Sequence, residues 1–337
     1  GFRRNLACTF LLILYTVTYP FFGQSTNIAL FLIETVFLAF KNVSLHTISS
    51  ITEKYMKKII ILAISLIMPL ALAGQAQIDT KKVKISDFTQ KVTKIVLNGN
   101  GFYDTALKDE VAARWRISPY EFCTLEDFET LKGNDNYYFL MTTCGQFRKE
   151  TAPGLQFLTL VKGGKGAEKG IGHMLEIVSL PIASAEYPSG RELVFLPAFL
   201  DIIQNHTLAS MEQDIKGYGG LASNNASLSK TDGIEVVISR DDLSKDVSEE
   251  QIEMLEQKGV IITDEDDADQ YMIDNVPGTM VSYVAVPSEP VAGSFCYKML
   301  IDSQTHHIYY FKRHRIGKRA GSGFLPEDIE RIKASRR

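Results

Sequence analysis

The sequence predicts an α+β protein made of two similar units. Each is expected to be a two-layer α/β sandwich, with helices on one face of a mixed or antiparallel sheet. Three observations carry this. The same order of strand-like and helical patterns occurs twice. The phrase FCTLED, from Phe122 to Asp127, is echoed by IITDED, from Ile261 to Asp266, at the same place in that order. A Gly-, Ser- and Asn-rich stretch, GYGGLASNNASLSKTDG at 217–233, separates the two occurrences as a linker would. The units are therefore expected at 77–216 and 234–337, related by an internal duplication, the second ending in a basic tail.

In the first unit, residues 92–97 alternate as a strand and stop at the turn Asn98-Gly99-Asn100-Gly101. Asp104 or Thr105 is placed to cap a helix running to Trp115, with Leu107, Val111 and Trp115 on one face. Trp115, the sole tryptophan, belongs to the core on that spacing. Pro119 restarts the chain as a strand over 120–123. Thr124 then caps an acidic helix over 125–131, whose Glu126 and Asp127 sit where the helix dipole favours negative charge. Residues 137–143 read as a buried strand. Two more strands, 155–161 and 173–180, flank GGKGAEKGIG. No Gly-Lys-Ser/Thr follows that run with phosphate-loop spacing, so it is read as a hairpin turn. The longest helical pattern spans 191–213, with Pro197 as a candidate start.

After the linker, 234–238 is a strand and Ser248 caps a helix over 249–258 that Gly259 ends. A strand follows at 260–262, and Thr263 is expected to cap an acidic helix over 264–272. Pro277-Gly278 turns the chain into strands at 280–286, 294–301 and 306–312, with Asp302 to Thr305 as the last hairpin. A helix over 326–334 closes the pattern.

Residues 56–76, MKKIIILAISLIMPLALAGQA, have the basic start, short apolar core and small residues of a secretory signal, with cleavage expected after Ala76. That implies Met56 as the start and residues 1–55 as upstream translation. If 1–55 are native, the apolar runs at 6–22 and 28–40 read instead as two membrane helices. The chain after residue 76 has 261 residues, with 30 Lys and Arg against 38 Asp and Glu. That acidic balance excludes general nucleic-acid binding. Export permits a disulfide, and Cys123 with Cys144 is the candidate pair. The odd count of Cys123, Cys144 and Cys296 leaves at least one thiol free, and buried, inert thiols are the expectation.

Candidate chemistry is sparse. His306 and His307 lie beside Asp302 and before Tyr309, which makes these four the candidate groups for a metal or general-base role, against solvated hairpin histidines. Adjacent strand residues point to opposite faces, so the two histidines cannot serve one metal from the same face. Asp264 to Asp269 is rich in carboxylates but lacks the Gly and Glu of a calcium loop. No metal site and no cofactor motif is found. Lys312, Arg313, Arg315, Lys318 and Arg319 form the basic cluster, a candidate surface for a protein partner or an anionic envelope polymer.

With its signal and the phrases WRISPYEF (Trp115 to Phe122) and LPEDIERI (Leu325 to Ile332), the chain resembles exported proteins of Bacteroidetes-type bacteria. Its helix-then-strand modules are similar in fold to the N-terminal domain of TolB-like proteins. The resemblance implies a periplasmic or extracellular address. The expected function is non-catalytic binding of a protein or envelope polymer. The alternative is a hydrolase or other enzyme with its site between the two halves.

Overall fold

The computed structural model describes residues 84–147, 150–213, 220–231 and 233–336, excepting the side chains of 226, 227 and 230. The signal-like segment and residues 1–55 lie outside the described residues. Two five-stranded mixed sheets organise the chain. The first contains β1 (Val92–Val96), β2 (Tyr120–Cys123), β3 (Tyr137–Gly145), β4 (Leu155–Lys162) and β5 (Leu175–Ser184), in the order β2-β1-β3-β4-β5. The second contains β6 (Glu235–Ser239), β7 (Val260–Thr263), β8 (Thr279–Ala285), β9 (Phe295–Asp302) and β10 (Ile308–Arg315), in the order β7-β6-β8-β9-β10. The two orders match strand for strand. In each, the first strand is parallel to both neighbours, and the last three form an antiparallel meander.

The helices repeat as well. Helices α1 (Gly101–Arg114) and α2 (Leu125–Leu131) connect the parallel strands of the first unit. Helix α3 (Arg191–Val194) and helix α4 (Leu196–Glu212) follow its meander. In the second unit α5 (Glu249–Glu256) and α6 (Glu265–Ile273) make the crossovers and α7 (Pro326–Ala334) follows the meander. The helices expected on one face of each sheet are in fact divided between both. Leu107 and Val111 of α1, Phe199 and Ile203 of α4, and Met272 of α6 share one core with Leu140 and Leu158 of the first sheet and Val281 and Met299 of the second. Outside the first sheet, Phe128 of α2 packs on Phe139 and Met141. Outside the second, Leu255 of α5 and Ile329 and Ile332 of α7 pack on Val236, Met280 and Leu300. Successive crossovers on opposite faces are what a parallel strand order of 2-1-3 requires of connections with one hand. Helix α4 is accordingly buried on most of its surface.

Several local expectations shift by a few residues for identifiable reasons. Helix α1 begins at Gly101, because the Asn100 side chain accepts from the Tyr103 amide. Asp104 is then free to accept from the amides of Asn98 and Gly99. The predicted 191–213 helix is two helices, broken at Phe195, with Pro197 in the first turn of the second. Asp264, rather than Thr263, caps α6, since its carboxylate reaches the Asp267 amide. The predicted linker is not a plain one: Leu221–Lys230 form a 3-10 helix with Leu221 and Leu228 buried. Its Asn225 amide accepts from the Phe311 N–H and donates to the Phe311 carbonyl, covering the outer edge of β10. Gly323 (φ +93°) lies so close to the loop after β6 that a Cβ there would sit 2.5 Å from the Asp242 carbonyl oxygen.

The three described thiols are free. Cys123 and Cys144 lie on β2 and β3, with β1 between them. Two strand spacings are about 9.5 Å, beyond the roughly 7 Å limit between disulfide-bonded Cα atoms. Cys144 is exposed, against the expectation of burial, whereas burial pushes the Cys123 and Cys296 thiols up to about 11. No helix among the described residues is long and apolar enough to cross a membrane.

Candidate functional site

In an open α/β sheet, ligands favour the crevice outside the carboxyl ends of the strands, where the strand order reverses. Each unit has one such point. In the first sheet the β1–β3 ladder ends at Ile95 and Leu140, and the chains then diverge. The gap opens into a cleft of about 350 Å³. One wall is the loop from β1 into α1, carrying Asn98, Asn100 and Phe102. Asp104 holds this loop through the Asn98 and Gly99 amides at 3.1 and 2.9 Å. The Oδ1 atoms of Asn98 and Asn100 accept from the Asn100 and Tyr103 amides, which orients both side chains and leaves their Nδ2 groups as donors. Gln156 of β4 enters from the side, next to an irregularity in the β4–β5 ladder. The opposite wall is the turn before α3, with Pro188 and Ser189, and the first turn of α3, with Glu192. There Gly190 (φ +92°) donates its amide to Glu192 Oε2 at 3.0 Å. Tyr103 forms part of the apolar lining. Burial raises its phenol to about 12, so it remains a neutral hydroxyl at physiological pH.

The equivalent point of the second unit is occupied from within. The β6–β8 ladder ends at Val237 and Val281. Arg191, the first residue of α3, enters the gap from the first unit. Its Nη1 donates to both Asp242 oxygens at 2.9 and 3.0 Å, its Nε to Asp269 at 2.7 Å, and its Nη2 to the Ser282 carbonyl at 2.9 Å. The Ser282 hydroxyl completes the site by donating to Asp242 at 2.6 Å. The Phe195 and Tyr283 rings flank the guanidinium at 5.3 and 5.2 Å. Burial opposes charge on Arg191, but Asp242 and Asp269 outweigh it and hold the group above its ordinary value. Three carboxylates, including Glu265 at 3.7 Å, share this one cation. Burial, against the pull of Arg191, therefore raises Asp269 to about 6.

That shift has a signed consequence. Asp269 titrates near 3.8 when unfolded and near 6 when folded, so the native state holds the proton more tightly. Stability from this group is present below about pH 4 and is lost as pH rises through 6, by up to about 3 kcal/mol. Asp269→Asn is expected to flatten the stability profile in that window. Urea midpoints from pH 4 to 8 measure it, and a wild-type slope no steeper than that of the variant would refute the assignment.

The predicted catalytic candidates do not line that cleft. His306 (φ +56°) is buried and its Nδ1 lies 2.6 Å from Asp201 of α4. Asp201 also accepts from Arg114 at 3.1 Å, so the contact ties the last hairpin to α4 and α1. Asp302 is committed to its own turn, accepting from the amides of Gln304 and Thr305. His307 is exposed and stands edge-on to the Tyr309 ring. The basic cluster is likewise divided. Lys312 turns to Asp328 and Glu327. Arg313 and Arg315 lie on the other face of β10, over the Phe295 ring at 5.1 and 5.0 Å. Lys318 and Arg319 sit in the exposed turn between Gly317 and Ala320. Among the described residues no group of three or more His, Cys, Asp or Glu is placed to hold a metal ion.

Sequence reasoning found the Asn98–Gly101 turn but not its role as a wall, and it missed Arg191 entirely. The one available signal was a charged residue opening an otherwise apolar helical pattern. No family model, curated protein or solved structure matches the chain.

Proposed function

We propose that this is an exported, non-catalytic binding protein that engages a partner of the cell envelope through the cleft of its first unit. The observation that carries this reading is the contrast between the two switch points. One is closed by Arg191 and its carboxylates, while the other is open and lined by amide and hydroxyl side chains. A binding surface of this kind needs donors, acceptors and apolar area held in place, not titrating groups. The lining suits that role, since among the described residues only Glu192 carries a charge there, and its carboxylate is already engaged by the Gly190 amide. The exported address rests on the signal-like residues 56–76.

Fractionation of the native cells tests the address, and cosedimentation with isolated envelopes tests the binding. The expected results are a mature protein beginning after residue 76 in a periplasmic or surface fraction, and envelope retention weakened about tenfold by Phe102→Ala. A cytosolic protein, or retention indifferent to that substitution, would overturn the reading.

A further inference from the structure

We infer that the cleft takes a neutral saccharide segment of an envelope polymer, an inference that rests on the binding role proposed above. Charge decides against an anionic ligand. Among the described residues no Lys, Arg or His lines the cleft, and the one charged group there is the Glu192 carboxylate, only 7% exposed. A phosphate or uronate would meet that carboxylate with no cation to offset it.

The rest of the lining matches a sugar ring. Such a ring has an apolar C–H face and a rim of hydroxyls, each both donor and acceptor. Asn98, Asn100 and Gln156 offer amides and Ser189 a hydroxyl, so both hydrogen-bonding roles are present on opposite walls. Tyr103 and Leu193 supply apolar area between them. Two aromatic rings stand exposed beside the walls. Phe102 is 77% exposed on the α1 side, and Tyr187 is 64% exposed next to Pro188 on the other. Such rings are costly to leave in water and are suited to stacking on ring faces, so a chain longer than the cleft would rest on both. The volume, about 350 Å³, is at the small end for ligand sites, which suits a short segment of a polymer.

A peptide fits less well. Capture of an extended peptide by strand addition uses an unpaired strand edge. Here β1 is paired on both sides, and the cleft presents side chains and turns instead.

Isothermal titration of the purified protein against short neutral oligosaccharides (glucose-, mannose-, galactose- and N-acetylglucosamine-based), against polyglutamate and polygalacturonate, and against mixed-sequence peptides tests the inference. At least one neutral oligosaccharide is expected to bind, about tenfold more weakly to Phe102→Ala and to Gln156→Ala. Binding by the double variant Arg313→Ala, Arg315→Ala should be unchanged. Both cleft residues are at least partly exposed, and circular dichroism verifies that the variants fold. If only the anionic polymers or the peptides bind, the saccharide assignment fails while the binding role stands. If nothing binds and envelope retention is also absent, both fail. Saccharide binding that ignores Phe102 and Gln156 overturns the cleft as its location.

Discussion

Arg191→Met is expected to lower the stability of the fold by about 3–5 kcal/mol, because it leaves Asp242 and Asp269 buried without their cation. Methionine keeps much of the side-chain volume between Phe195 and Tyr283, so the loss reports charge rather than a cavity. The cost should depend on pH. Asp269 already holds a proton up to about pH 6, so in mild acid the variant carries one unpaired charge fewer. Urea denaturation at pH 5 and pH 8 should therefore show the larger deficit at pH 8. A deficit under about 1 kcal/mol at both pH values would mean that Arg191 is not the tie between the units described here. Because Gly190 and Glu192 flank Arg191 and form one wall of the cleft, ligand affinity should fall together with stability.

Asp328→Ala is expected to cost a similar amount, about 3–5 kcal/mol, for a different reason. Lys298 is fully buried on β9, and its ammonium is paired with Asp328 at the start of α7. The same carboxylate accepts from Tyr310, from Lys312 and from the Leu325 amide. Burial would raise Asp328, but these donors outweigh it and hold the carboxyl below its ordinary value. Burial also pushes Lys298 down, so removing its partner leaves an ammonium that water cannot reach. The substitution removes the cap of α7 as well, worth about 1 kcal/mol. The double variant Lys298→Met, Asp328→Leu should regain the part of the loss due to the unpaired ammonium, while the Tyr310 hydroxyl and the Leu325 amide remain without their acceptor. Thermal unfolding of the two variants separates the cases. Equal losses would show that the donors and the α7 cap that both variants lose, rather than the unpaired lysine, set the cost.

Much of the architecture was legible because it follows from local pattern. Apolar periodicity and caps placed α2 and α5, where Thr124 and Ser248 both form the expected side-chain bonds to the third residue of their helices. The duplication was legible from element order, and the strand orders match. What was not legible depends on contacts between residues far apart in sequence. Arg191 lies 51 residues from Asp242 and 78 from Asp269, and nothing local marks those partners. The cleft was missed for the same reason, because it joins the loop after β1 to a turn some ninety residues later. The basic cluster shows the opposite failure. Consecutive charges suggested one surface, but strand alternation sends Lys312 to one face and Arg313 and Arg315 to the other.

The amide of Asn225 makes with Phe311 both hydrogen bonds that a neighbouring strand would make. A meander ending in β10 would otherwise offer an open template to any extended chain, including another copy of itself. An open edge of that kind, exposed while a chain folds, is a route to fibrous assemblies. The stretch that looked like a spacer between repeats therefore covers the edge strand of the second repeat at the position where another strand would pair.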